Sequence, residues 1–164
     1  MNTSDHFRML ARYNRIANDR LYEKCAELSL EEYKRERSGS FGSIQGLLNH
    51  ILVGDRIWMS RFSGGGRMTP PLHSILFETF AELRTARAEQ DALIEAFFAR
   101  AGEDFYRSLI PYRNNLGKDY LETASVAVLH FFNHQTHHRG QVHIMLSQAD
   151  VRPPSLDLHR ILNP

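Results

Sequence analysis

The chain is poor in cysteine and in long apolar runs, and both shortages exclude whole classes of protein. Its one cysteine, Cys25, rules out an internal disulfide framework, and nothing beside it marks a nucleophile, so we expect a small core residue. No run of about 18 consecutive apolar residues is present, as a membrane-spanning helix would need. The first residues also lack the basic stretch followed by an apolar run that is typical of a secretion signal. The sequence therefore predicts a soluble, cytoplasmic protein with no membrane partner.

The sequence also has almost equal numbers of positive and negative side chains. Lys and Arg total 20 and Asp and Glu total 19, which gives a formal net charge of +1 at pH 7. Proteins that bind a nucleic-acid backbone usually carry a basic patch or stripe, and none is visible here, so we expect no nucleic-acid partner. The 164 residues suffice to bury a sizeable core, and no internal repeat or low-complexity segment divides them. We therefore predict one domain over residues 1–164.

What the sequence does contain is a strong helical period in its apolar residues. Four long helices are predicted, at about residues 4–28, 43–62, 73–101 and 121–148. Ser43 is the expected N-cap of the second. Residues 104–120 break the pattern, because β-forming residues there are followed by Pro111 and Asn114, which favours a short hairpin. Residues 155–162 predict a short closing helix, so the sequence indicates an all-α fold with a small hairpin-like insertion before its last long helix.

Three histidines carry most of the functional information, because together they could form a facial metal site. His134 and His138 lie four residues apart in the predicted fourth helix, about 40° apart on neighbouring turns, where two imidazoles can hold one ion. His50, in the second helix, could supply the third ligand. Spacing alone does not choose the pair, because His130 and His134 share it and His134 and His137 are three apart. The apolar stripe of the fourth helix favours His138, which lies within it, and His134, which lies at its flank.

Each of these histidines also has an ordinary structural explanation. A single histidine on an apolar face is more often a hydrogen-bonded core residue, and a pair at helical spacing also arises by chance. His50 lies at the edge of the apolar face of its helix. His130, His137 and His143 fall beyond the stripe of the fourth helix and are expected to meet solvent or a subunit neighbour. From these residues alone, a metal site and a set of core histidines both remain open.

Two charged residues on apolar faces need partners. Asp55 points into the stripe of the second helix, and Arg139 lies on the edge of the stripe of the fourth, where an unpaired charge would be costly to bury. We predict that they pair and hold these two helices in register; the functional alternative is that Asp55 orients a ligand imidazole. Asn14, on the inward stripe of the first helix, either caps a polar interior or lines a pocket. Asn49 and Gln141 have the same ambiguity as Asp55, between a structural contact and the orientation of a ligand imidazole, and solvent exposure is favoured for Asn49.

The residues around the histidines resemble those of the DinB family, within the DinB/YfiT-like metalloenzyme superfamily. The matching segments are residues 11–21, residues 48–51 with Asp55, Trp58 and Arg61-Phe62, and residues 130–141, which end in His-His-Arg-Gly-Gln. The resemblance covers almost the whole chain. It implies a four-helix bundle that holds one divalent metal ion per chain through His50, His134 and His138. Zinc or nickel is favoured, with iron, copper and manganese as alternatives.

The resemblance also implies a function. Three neutral imidazoles would leave the ion at least one open position, which suits catalysis better than a structural role. Members of the family include hydrolases and transferases that use low-molecular-weight thiols such as bacillithiol or mycothiol. We therefore expect a metal-dependent enzyme acting on a small molecule, with metal-bound water or thiolate as the reactive species. The alternatives are a non-catalytic metal or small-molecule binding protein and, third, a plain interaction bundle with core histidines.

A twofold homodimer is the last expectation. Relatives in the family are often dimers, and Phe77, Leu93 and Phe97 lie around more of the predicted third helix than one bundle interior requires. A helix packed against its own copy would cover them, because a twofold interface is self-complementary. The alternative is that these residues meet the hairpin and the closing helix of the same chain.

Overall fold

Four long helices dominate the structure, a computed structural model that describes residues 1–65, 70–114 and 116–163. Within these residues the elements are α1 (Thr3–Cys25), α2 (Leu30–Lys34), α3 (Ile44–Phe62), α4 (Phe80–Arg100), α5 (Glu103–Arg107), β1 (Leu109–Arg113), β2 (Asp119–Thr123), α6 (Ala124–Gln148) and α7 (Leu158–Leu162). Each of α1 and α3 packs against both α4 and α6, which closes the long helices into a bundle. The predicted fold class is confirmed. In the described residues, no helix combines the length and the apolarity needed to cross a membrane.

Side-chain caps set the beginning of three of the long helices. Asn2 and Ser43 each accept a hydrogen bond from the amide three residues further on, which confirms the prediction for Ser43. Thr79 caps α4 in the same way, so that α4 begins at Phe80 and not near residue 73. The residues just before Phe80 are not helical, and the side chains of Gln45 and Asn49 on α3 bind their backbone.

The hairpin is present, but it lies later in the chain than the sequence indicated. β1 and β2 pair antiparallel, with Pro111 opposite Leu121. Asn114 turns the chain, because its side-chain oxygen accepts hydrogen bonds from two amides of the loop. The residues expected to open the first strand form α5 instead, where Tyr106 is buried and stacks on an aromatic ring of the bundle. The last long helix accordingly begins at Ala124.

Along the bundle, the buried side chains form two main apolar clusters with a polar layer between them. One cluster includes Leu21, Cys25, Leu48, Leu83 and Leu146, and the other includes Phe7, Phe62, Phe98, Phe131 and Phe132. The polar layer consists of Asn14, Asn18, Asp55, Arg87, Asp91, Gln135 and Arg139, all of them buried. Cys25 is a core residue, as expected, and burial raises the pKa of its thiol to about 12.

Arg87 is the centre of the polar layer. Its guanidinium donates hydrogen bonds to Asp55 on α3 and, at 3.0 and 2.8 Å, to the two carboxylate oxygens of Asp91 on α4. All three side chains are at most 3% exposed. Burial raises the pKa of Asp55 and of Asp91, and the positive charge of Arg87 opposes that rise. The three charges therefore depend on one another.

Arg139 does not pair with Asp55, so that prediction from the sequence is wrong. The guanidinium of Arg139 donates to the side-chain oxygen of Asn14, which places Asn14 in the polar interior and not on a pocket wall. Gln135 lies between the two charges, because its amide group donates to Asp55 and its oxygen accepts from Arg139 at 3.4 Å. The predicted pair does not form because the Asp55 carboxylate binds Arg87 of α4 instead. No partner had been predicted for Arg87 from the sequence.

Removal of the Arg87 guanidinium tests how far the bundle depends on the polar layer. Arg87→Met leaves Asp55 and Asp91 buried without their cation, and we expect the free energy of unfolding to fall by about 3–5 kcal/mol. Arg8→Met is the control, because Arg8 and Asp5 pair on the surface, where such pairs contribute about 0–1 kcal/mol. Equilibrium unfolding in urea measures both variants. An equal loss in the two would contradict the central place of Arg87.

Candidate metal centre

The structure brings together the three histidines that the sequence analysis selected. His50 Nε2 lies 3.1 Å from His134 Nε2 and 3.2 Å from His138 Nε2, and one nitrogen from each ring falls within 4.8 Å of the others. His50 and His138 are buried, and His134 is half-buried. His130 and His137 are exposed, as their position outside the apolar stripe predicts.

The spacing of these nitrogens fits a single metal ion. Bonds of about 2.0–2.1 Å, as for zinc, set two ligand nitrogens about 3.3 Å apart in a tetrahedral site and about 2.9 Å apart in an octahedral one. The separations of 3.1 and 3.2 Å from His50 lie between these values. A donor set of three imidazoles suits zinc, nickel, copper and iron better than magnesium or calcium, which prefer oxygen ligands.

Hydrogen bonds on the far side of two rings fix which nitrogen carries the proton. His50 Nδ1 donates to the carbonyl oxygen of Leu72 at 2.9 Å, and His138 Nδ1 donates to the side-chain oxygen of Gln141 at 2.7 Å. A neutral imidazole has one N–H group, so Nε2 of both rings carries a lone pair. Two lone pairs that face each other at 3.2 Å repel unless a cation lies between them. A cation shared by His50 and His138 would remove this repulsion.

A proton is a poor candidate for that cation, because burial keeps the imidazoles neutral. Burial lowers the pKa of His50 to about 4 and that of His134 to about 3, and it also lowers the pKa of His138. Repulsion by neighbouring imidazoles lowers the pKa of His50 and His134 further. At pH 7 the rings are therefore in the neutral state that metal ligation requires.

Leu72 and Gln141, and not Asp55, bind the far sides of the His50 and His138 rings. The sequence left open whether Asp55 performs this task, but its carboxylate accepts its hydrogen bonds from Arg87 and Gln135. A backbone carbonyl such as that of Leu72 leaves no signal in the sequence. Gln141, three residues after His138 on the same helix, is one of the residues for which the sequence left an orienting role open.

Gly54 allows α3 and α6 to approach closely enough for His134 to join the other two rings. A Cβ atom at Gly54 would lie 2.9 Å from His134 Cε1 and 3.4 Å from His134 Nδ1, so any larger residue would displace the imidazole. Gly54 was not among the site residues predicted from the sequence. A signal was available, because a glycine inside a helix costs about 1 kcal/mol relative to alanine and usually has a packing reason.

Phe41 covers one side of the histidine cluster. Its ring stacks on His50 with centroids 3.7 Å apart and an angle of 19° between the planes, and it lies edge-on to His138 at 5.5 Å. Phe41 belongs to the loop before α3, and Gly42 next to it adopts a φ of 69°, a conformation that favours glycine. This ring could not be predicted from the sequence, because a loop residue belongs to no helical or strand period.

Aromatic rings also form the opposite rim of the cluster. The Trp58 ring lies 5.2 Å from the ring of His130, which in turn lies 6.1 Å from His134. The Arg61 guanidinium stacks on Trp58 at 4.5 Å and on Tyr112 at 4.3 Å. This arrangement joins the β1–β2 hairpin to the helix that carries His50.

Two comparisons with known proteins identify the family of the chain. A family model described as "DinB family" matches residues 1–164, a range that includes all three histidines. The protein named Protein DinB from Bacillus subtilis (strain 168) is 30% identical over 155 residues, which cover 89% of this chain and 87% of that relative. The resemblance noted in the sequence is thereby confirmed over nearly the full length of both proteins.

Substitution of Gly54 tests whether the close approach of α6 serves the histidine cluster. We expect Gly54→Ala to weaken zinc binding about 10-fold or more, because the added Cβ displaces His134, while the free energy of unfolding stays near that of the parent protein. Gly140→Ala is the matched control on α6, since its added Cβ would have no neighbour within 4 Å. Competition with a chromophoric chelator measures the affinity. Equal zinc affinity in the two variants would show that the cluster tolerates the displacement.

Proposed function

The chain belongs to the DinB family, and from that premise we propose that it binds one divalent metal ion through His50, His134 and His138. The observation that carries the proposal is the pair of Nε2 lone pairs of His50 and His138, which face each other at 3.2 Å while both Nδ1 protons are used elsewhere. Zinc or nickel is the favoured ion, because the ligands are imidazoles alone. Iron, copper and manganese are the alternatives.

We further propose that the protein is a metal-dependent enzyme, either a hydrolase or a transferase that uses a low-molecular-weight thiol. A divalent ion held by three neutral imidazoles leaves a position open and can lower the pKa of water or of a thiol. The chain contributes the rest: Leu72 and Gln141 hold two rings in the ligating orientation, and Phe41 shields one side of the cluster from water. No catalytic side chain is assigned, and the substrate is expected to be a small molecule.

A non-catalytic metal or small-molecule binding protein is the second candidate. It is favoured by the same open ligand position, because an aromatic rim of Phe41 and Trp58 could hold a ligand without transforming it. Turnover separates the two candidates. The metal-loaded protein is incubated with ester substrates and with a thiol plus an electrophile, and product formation that is lost in His134→Ala would favour the enzyme.

Metal content tests the ligand assignment directly. Protein expressed without a polyhistidine tag is analysed for metals by mass spectrometry, before and after loading with zinc or nickel. We expect His50→Ala, His134→Ala and His138→Ala each to lose most of the metal, because two imidazoles rarely hold an ion alone. His137→Ala, an exposed neighbour on α6, should retain it. The assignment fails if all four variants contain as much metal as the parent protein.

We also propose that the protein self-associates, but through a different helix from the one predicted from the sequence. Phe77 and Phe97 pack against the apolar clusters of their own chain, and Phe77 precedes α4, so of the three residues first considered only Leu93, 61% exposed, is left for a partner. The outward face of α6 offers more apolar surface, with Leu129 50% and Ile144 61% exposed. We propose that this face supports a twofold dimer. A cytoplasmic location stays a prediction.

Sedimentation equilibrium at micromolar concentration tests the dimer. We expect a mass of two chains of 19.0 kDa, and we expect Ile144→Glu to shift it toward one chain because a charge would be buried at the interface. Leu30→Glu on α2 is the control, since Leu30 is 69% exposed, somewhat more than Ile144, and lies on a different helix. A mass of one chain that does not rise with concentration would contradict the proposal.

A further inference from the structure

Asn49 uses the full hydrogen-bonding capacity of its amide although it is completely buried. Its oxygen accepts from the backbone amides of Leu76 at 2.9 Å and Phe77 at 3.0 Å. Its nitrogen donates to the carbonyl oxygens of Gln45 at 3.0 Å and Phe77 at 3.3 Å. A side-chain amide has two donors and one oxygen with two lone pairs, so none is left over. Such complete pairing in the bundle interior indicates a specific task.

The segment that Asn49 holds is the stretch just before α4. Residues 70–79 form neither helix nor strand, so no regular hydrogen-bond ladder pairs their backbone groups, although the Ser74 amide donates to the Pro71 carbonyl oxygen at 2.9 Å. Asn49 supplies partners for Leu76 and Phe77, and Gln45, one turn earlier on α3, donates to the carbonyl oxygen of Glu78 at 2.8 Å. Two side chains of α3 therefore fix the path of this segment across the helix.

The same segment carries the acceptor that orients His50. Leu72, four residues before Leu76, accepts the Nδ1 proton of His50 through its carbonyl oxygen at 2.9 Å. His138 differs, because its acceptor Gln141 lies on its own helix and needs no help from a distant segment. The orientation of His50 thus depends on how well the segment is held.

We propose that Asn49 is a positioning residue for the metal site: by holding residues 72–77 on α3 it keeps the Leu72 carbonyl where it fixes the tautomer and the orientation of His50. Loss of the Asn49 amide frees the segment, the Leu72 carbonyl moves away from Nδ1, and the His50 proton can transfer to Nε2. A ring protonated at Nε2 offers no lone pair to the ion that His134 and His138 share with it. This inference rests on the proposed metal site for its effect on affinity, but not for its effect on the tautomer.

The experiment compares Asn49→Ala with Ile94→Val at pH 7.5. Ile94 is fully buried in the apolar cluster at the other end of the bundle, so its variant loses stability without touching the segment. We expect Asn49→Ala to weaken zinc binding about 10- to 100-fold, as loss of an orienting partner does, and Ile94→Val to leave it unchanged. Nitrogen-15 NMR of the metal-free proteins reports the tautomer: His50 should be protonated at Nδ1 in the parent and in Ile94→Val, and in part at Nε2 in Asn49→Ala.

Each outcome decides the proposal. A shifted His50 tautomer together with weaker zinc binding in Asn49→Ala supports it, and the parent tautomer in a folded Asn49→Ala overturns it. If Asn49→Ala does not fold, Asn49→Ser takes its place, because a hydroxyl cannot reach both backbone amides and the same two results apply. If the parent protein binds no metal, the proposed function fails, while the tautomer of metal-free His50 still decides the role of Asn49.

Discussion

Buried charges of both signs at the middle of the bundle limit how the four long helices can pack. Asp55, Arg87, Asp91 and Arg139 come from three of these helices, and α1 contributes asparagines that bind two of them. A buried charge without its partner costs several kcal/mol, so a slide of one helix by a single turn would break several contacts at once. Apolar side chains fill both ends of the bundle, and their contacts depend less on the identity of the neighbouring residue.

The packing of the buried charges also positions the histidine cluster, because residues of the two sets are neighbours along the chain. His134 precedes Gln135 and His138 precedes Arg139, so each candidate ligand on α6 is the sequence neighbour of a polar-layer residue. On α3, Gly54 precedes Asp55 in the same way. On both α3 and α6, one face contributes to the buried polar layer and the adjoining face contributes to the histidine cluster. The register that forms these buried polar contacts is therefore also the register that brings the imidazoles together.

The sequence predicted what depends on spacing along one element and missed what depends on contacts between elements. The His134 and His138 pair, the Ser43 cap and the hairpin follow from local patterns. The partner of Asp55 could not be found, because both Arg87 and Arg139 are cations on other helices and only packing decides between them. Asn49 was expected to face solvent and is completely buried, since its partners are backbone groups of a segment without regular structure. Phe41, whose ring covers one side of the cluster, lies in a loop, where no helical or strand period predicts which way a side chain points.

The aromatic rim gives the molecule an internal optical probe. Trp58 is the one tryptophan of the chain, and its ring lies two rings away from His134, with His130 between them. Intrinsic tryptophan fluorescence therefore originates at the edge of the histidine cluster and not in a distant part of the bundle. Ions with unpaired d electrons, such as nickel(II) and copper(II), quench a nearby indole, whereas zinc, with its filled d shell, does not. Emission intensity would thus distinguish zinc from an ion with unpaired d electrons at the proposed site without any label.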